Sequence, residues 1–170
     1  YGLSYTSFEY SNLLINKESI LDNETVDVTV TVKNTGERAG KEIVQLYVRD
    51  IESTVIRPEK ELKGFVKVDL QPGEEKEVCF TLDKRAFAYY NVELKDWHVE
   101  SGQFEVLVGN SSAEIILKGT LQVNSSVTLN KLVHRNTTIG DLLANPILAP
   151  IVQEILAKAN EIPDINYSDY

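Results

Sequence analysis

Runs of strict apolar/polar alternation, cut by turn residues, govern the first three quarters of this chain. Val26, Val28, Val30 and Val32 fall on one side of an extended backbone, with Asp27, Thr29, Thr31 and Lys33 on the other. Val44, Leu46 and Val48 repeat the pattern against Gln45, Tyr47 and Arg49. Val78, Phe80 and Leu82 repeat it against Glu77, Cys79 and Thr81. Phe104, Val106 and Val108 follow Ser101-Gly102, and Ile115, Leu117, Leu121 and Val123 close the series. Leu62 to Leu70 reads as another strand, ended by Pro72-Gly73, and Phe8 and Tyr10 mark one near the start. Asn34-Thr35-Gly36 supplies turn chemistry, because Asn and Gly tolerate positive φ. No helical stretch long enough for βαβ units separates these runs. The expectation is an all-β, immunoglobulin/fibronectin type III-like sandwich of about seven strands, with one helical turn at Asp83 to Ala88.

The character changes near Asn124 to Thr128, which predicts a sandwich over residues 1–126 and a C-terminal α-helical extension over 127–170. Thr138 and Asp141 have the spacing of an N-terminal cap, and Asn145-Pro146 is a second helix start. Pro150 falls in the first turn, where its missing N–H costs little. Ile147, Leu148, Ile151, Val152, Ile155 and Leu156 recur at helical spacing. Burying such a face stabilises by on the order of 10 kcal/mol at most. It either docks on the same chain or meets another domain or a second copy, as a homodimer seam. The last residues, around Pro163, Asp164 and Tyr170, read as frayed.

Composition narrows the function classes. Seventeen basic against 26 acidic residues give a net charge of −9, which argues against nucleic acid. No apolar run approaches the ~20 residues of a membrane helix, and no basic-then-apolar segment opens the chain. The setting stays open between cytoplasmic and secreted. A single Cys excludes an intrachain disulfide and a Cys-based metal cage. The absence of Met suggests an excised piece or a processed product.

A search for chemistry finds little. His98 and His134 lie apart, without partners at metal-ligand spacing, so no metal site is expected. Cys79 reads as a small hydrophobe rather than a nucleophile, since no His lies near it in sequence. There is no phosphate loop, and no cofactor is implied. The 26 acids alternate with apolar residues on strands, so their abundance does not single out a catalytic pair. Sequons at Asn23, Asn110, Asn124, Asn136 and Asn166 matter only in a glycosylating host. Trp97, with Tyr89 and Tyr90, reads either as a sugar-stacking platform or as a core or domain-contact aromatic. Asp50 to Glu61 is the most irregular stretch inside the β region. Its Arg57 is suited to a bidentate carboxylate contact, within the chain or across an interface.

Several segments agree on one resemblance. Tyr1 to Tyr10, Val32-Lys33-Asn34-Thr35-Gly36 with Gly40, Gln45-Leu46-Tyr47-Val48, Arg57-Pro58 with Lys60 to Phe65, Leu70-Gln71-Pro72-Gly73-Glu74, and Gly102 to Val106 with Val108 to Ser112 occur in that order. Together they resemble the last, fibronectin type III-like domain of glycoside hydrolase family 3 enzymes, the β-glucosidase and β-xylosidase family, over about residues 1–125. The resemblance implies a non-catalytic accessory domain of a β-glycosidase. The catalytic acids would lie in preceding barrel and α/β domains, so no catalytic residue carries over. It also implies a loop that braces those domains or reaches the sugar site. Asp50, Glu52, Arg57 and Pro58 are the candidates, with Arg57 the foremost polar contact. The segment Arg135 to Leu143 resembles an extension found after this domain in some members. A carbohydrate-binding module using Trp97, Tyr89 and Tyr90 is the alternative reading.

Overall fold

The structure is a computed structural model, and it describes residues 5–92, 94–127, 137–144 and 148–160. His134, the sequons at Asn136 and Asn166, Asn145-Pro146, Ile147 and the chain's last ten residues lie outside these, as does the side chain of Asp141.

Two compact units divide after Val127. The first is a sandwich. Its three-stranded sheet has the order β1 (Phe8–Ile15), β3 (Val26–Asn34) and β6 (Glu75–Leu82). Its five-stranded sheet has the order β2 (Ser19–Leu21), β10 (Ile115–Asn124), β9 (Gly102–Gly109), β4 (Gly40–Asp50) and β5 (Glu61–Leu70). A short helix, α1 (Lys84–Phe87), leads into a small hairpin of β7 (Tyr89–Asn91) and β8 (Asp96–His98). Seven of these strands have eight residues or more. The three additional ones, β2, β7 and β8, have three residues each, too short for alternation to register in sequence.

The alternation becomes the core. Val26, Val28, Val30 and Val32 of β3 are all 0% exposed, and they pack with Val44, Leu46 and Val48, with Val78, Phe80 and Leu82, and with Phe104, Val106 and Val108. Each such burial stabilises by roughly 1.5–3 kcal/mol. One row departs from expectation. Tyr47, on the polar side of β4, is buried opposite Leu107 of β9, and both lie outside the main core. The Tyr47 hydroxyl donates to Gln45 Oε1, and Gln45 Nε2 donates to the Asn110 carbonyl at 2.7 Å. The outer face of this sheet therefore has a small apolar pair of its own.

The Asn34 turn also works differently from expectation. Among the described non-glycine residues only Asn12 and Lys95 have positive φ, so Asn34 is used for its side chain. That side chain is fully buried. Nδ2 donates to the carbonyls of Arg38 (2.7 Å) and Leu70 (3.0 Å), while Oδ1 accepts from Gly36 N (3.1 Å) and Thr6 Oγ1 (2.6 Å). Its backbone holds the next turn as well, through Glu74 O and Gly73 N. Gly73, at φ +75°, is where that turn requires glycine. Cys79 faces outward on β6, an edge strand, on the side where the alternation places it with Glu77 and Thr81, and it is exposed rather than packed as a small hydrophobe.

The sandwich closes on its own beginning. β2 runs parallel to β10, and Asp22, buried beside them, accepts from Ser126 N at 3.0 Å with Lys84 Nζ 3.9 Å away.

The second unit contains α2 (Ile139–Ala144) and α3 (Ala149–Asn160). The Thr138 carbonyl accepts from Leu142 N, and Pro150 sits in the first turn of α3. Ile151, Ile155 and Leu156 are exposed.

Candidate functional site

The loop of residues 51–60, between β4 and β5, is irregular in backbone but held by side chains. Arg57 turns inward. Its Nε and Nη2 reach Glu61 Oε1 at 3.2 and 2.8 Å, and Nη1 reaches Asp50 Oδ2 at 3.3 Å and the Phe87 carbonyl at 2.9 Å. The guanidinium fork thus spans the last residue of β4, the first of β5 and the end of α1. The carboxylate contact expected of Arg57 occurs within the chain, and two carboxylates share it. Asp50 also receives Glu52 N on Oδ1 at 3.2 Å, and Glu61 receives Lys63 Nζ at 2.8 Å.

A second clamp grips the loop's first half. Glu100, just after β8, accepts from Ser53 Oγ (3.2 Å), Thr54 N (3.1 Å) and Thr54 Oγ1. Ser53 Oγ has one proton, shared between Glu100 and the Val55 carbonyl 2.9 Å away. No sequence signal marks Glu100, because it lies 47 and 46 residues from the Ser53 and Thr54 hydroxyls it holds.

The electrostatics follow from this packing. Burial pushes the Asp50 carboxyl up. Arg57 pulls the other way without cancelling it, and the nearby Glu100 charge adds to the rise. Burial acts on Glu61 too, but hydrogen bonds from Lys63 and Arg57 outweigh it and hold that carboxyl below its ordinary range. The remaining members of the predicted set, Glu52 and Pro58, are exposed.

Helix α1 connects this loop to the aromatic candidates. Its N-cap is Asp83, whose side chain accepts from Arg85 N at 2.9 Å. Phe87, fully buried, meets Phe104 edge-on with centroids 5.3 Å apart. In the hairpin beyond, Tyr90 pairs with Trp97 and Tyr89 with His98. Tyr90 lies edge-on to Trp97 at 5.7 Å, and Tyr89 edge-on to buried His98 at 5.8 Å. The Arg85 guanidinium covers the Trp97 ring 3.4 Å from its centroid, while Trp97 also packs on the core. A sugar ring would have to displace Arg85 to stack there. Among the described residues, no three His, Cys, Asp or Glu side chains are grouped to hold a metal ion.

Residues 42–112 match the family described as "Fibronectin type III-like domain". The chain is 55% identical over 159 residues to thermostable β-glucosidase B of Acetivibrio thermocellus, covering 91% of this chain and 21% of that protein. It is 40% identical over 167 residues to an exo-α-(1→6)-L-arabinopyranosidase of Bifidobacterium breve, covering 97% and 22%. In structure it is similar to a GH3 β-glucosidase of Bifidobacterium adolescentis, with a TM-score of 0.76, 38% identity, and coverage of 89% of this chain and 22% of that one. The chain spans about a fifth of the length of these relatives.

Proposed function

From a chain that belongs to the fibronectin type III-like domains of the family 3 glycoside hydrolases, we propose an accessory, non-catalytic part of a β-glycosidase. The parent protein would hydrolyse β-glucosides or related glycosides with two carboxylates and a covalent glycosyl-enzyme intermediate. Both acids would reside in its barrel and α/β domains. The observation that carries this reading is the identity of 55% to a β-glucosidase over a segment that is only 21% of that enzyme. The employment of the acids here supports it. Asp22, Asp50, Glu61 and Glu100 each hold a backbone or side-chain partner in the fold.

Residues 50–58 form the part of the sandwich that braces the catalytic domains. In this reading Arg57 shapes the loop from inside, and Glu52 and Pro58 meet the neighbouring surface. The helical extension supplies a second contact surface through Ile151, Ile155 and Leu156, for the parent's other domains or for a second copy. Sedimentation of residues 1–126 beside 1–170 separates these: self-association that needs the tail supports the second copy.

Assay of an aryl β-glucoside tests the main reading. The purified 170-residue chain is expected to release no product, whereas the full-length protein carrying it turns over. Turnover by the pure chain, or none by the full-length protein, overturns it.

A further inference from the structure

Ile56 is fully exposed at the tip of the 51–60 loop, although its neighbours are tied inward on both sides. Glu100 holds Ser53 and Thr54. Ser53 Oγ bridges the carbonyl and N–H of Val55. Arg57 is anchored by Asp50, Glu61 and the Phe87 carbonyl. A slack loop would fold a bare aliphatic side chain back onto the protein, since leaving it in water forfeits its burial. Here the clamps on either side hold it out. Ile51, also exposed, adds apolar surface to the same loop.

We propose that Ile56 is a pre-set apolar plug that seats in an apolar recess on the catalytic body of the parent protein; this rests on the accessory-domain reading above. Two observations select a partner joined by the chain itself. One protruding side chain offers only a fraction of the roughly 800 Å² that a stable interface takes from each free partner. Covalent linkage removes that requirement, because a tethered partner is present at an effective concentration in the millimolar range. The relatives that match nearly the whole of this chain are also about five times longer, so in them a large body is tethered to this domain. The apolar tip suits a protein recess better than a sugar, whose hydroxyls would meet no hydrogen-bonding group on Ile56.

The test compares Ile56→Asp and Ile56→Leu in the full-length protein and in the 170-residue chain by thermal unfolding, with activity scored separately. In the full-length protein Ile56→Asp is expected to lower the midpoint by several degrees or split one transition into two, and Ile56→Leu to keep most of the wild-type value. In the 170-residue chain both variants should melt within about 1 °C of wild type, because Ile56 is fully exposed there. An active full-length protein whose melting ignores Ile56→Asp overturns the plug while leaving the family reading intact. Loss of stability in the 170-residue chain also overturns it, by showing that Ile56 is covered from within. Absence of glycosidase activity in the wild-type full-length protein counts against the family reading alone.

Discussion

Arg57 Nη1 lies 3.3 Å from Asp50 Oδ2, and the two side chains are 7% and 4% exposed. Removing one partner from such a pair leaves the other charged and unpaired, which costs about 3–5 kcal/mol. Arg57→Ala is therefore expected to lower the unfolding free energy by that amount in denaturant titrations. Adding Asp50→Asn to Arg57→Ala should recover at least about 1 kcal/mol, because it removes the stranded charge. A double variant as unstable as the sum of the singles would show that the two residues act independently.

Asn34 joins two turns through a buried amide. Asn34→Ala strands the Gly36 N–H and the Leu70 carbonyl, so a loss of roughly 2–4 kcal/mol is expected. Asn34→Asp keeps the acceptor but loses both donated bonds and should be similarly harmful at neutral pH. Urea midpoints of the two variants check this.

Two acids give opposite pH signatures. Burial raises the Asp22 carboxyl, but the hydrogen bonds from Ser126, with help from Lys84, outweigh that and leave it lowered. Its stabilisation is therefore present above the ordinary value of about pH 4, and it is lost as pH falls through that value towards the lower folded one. Asp22→Asn should flatten the acid limb of stability against pH. Glu42 is raised, chiefly by burial, with the Tyr10 hydrogen bond opposing and Glu114 adding. The wild type thus loses stability as pH rises through that raised value. Glu42→Gln still accepts from the Tyr10 hydroxyl, 2.8 Å away in the native pair, and should be more stable than wild type at neutral pH, with no gain in acid; urea midpoints at the two pH values check this.

Trp97 is the chain's single tryptophan, so its emission reports on one place. Arg85→Ala should shift that emission by uncovering the ring, and cost about 0.5–1 kcal/mol. Cello-oligosaccharide up to millimolar concentration should leave the wild-type emission unmoved. A saturable response would restore the stacking role for Trp97, Tyr89 and Tyr90.

Cys79 is exposed on the edge strand β6. A maleimide should label it without denaturant, at a rate that urea hardly changes. Labelling that requires unfolding would place the thiol inside.

The seven long strands were legible because each has a buried face, and burial imposes period two on sequence. The short helix was legible from Asp83, whose side chain suits a cap. The burial of Tyr47 was not, since its partner Leu107 lies sixty residues away and its neighbours on the same strand face, Gln45 and Arg49, are polar. The same limit hid the second loop clamp: nothing near Ser53 and Thr54 in sequence points to Glu100. Arg57 stood out as a carboxylate binder, and its direction depended on where α1 set the Phe87 carbonyl. Local pattern thus specifies elements, while the tying of loops depends on pairings that only the assembled sheets bring about.

The parallel seam between β2 and β10 also bears on synthesis. Among the described residues β2 has only β10 for a sheet neighbour, and their paired residues are about a hundred positions apart. A ribosome adding about 5–20 residues per second delivers the later strand roughly 5–20 s after the earlier one. Through that interval β2 is without the strand it pairs with, so its backbone groups are open to a strand from another polypeptide. Such a delay is when a chaperone would be of most use to this protein.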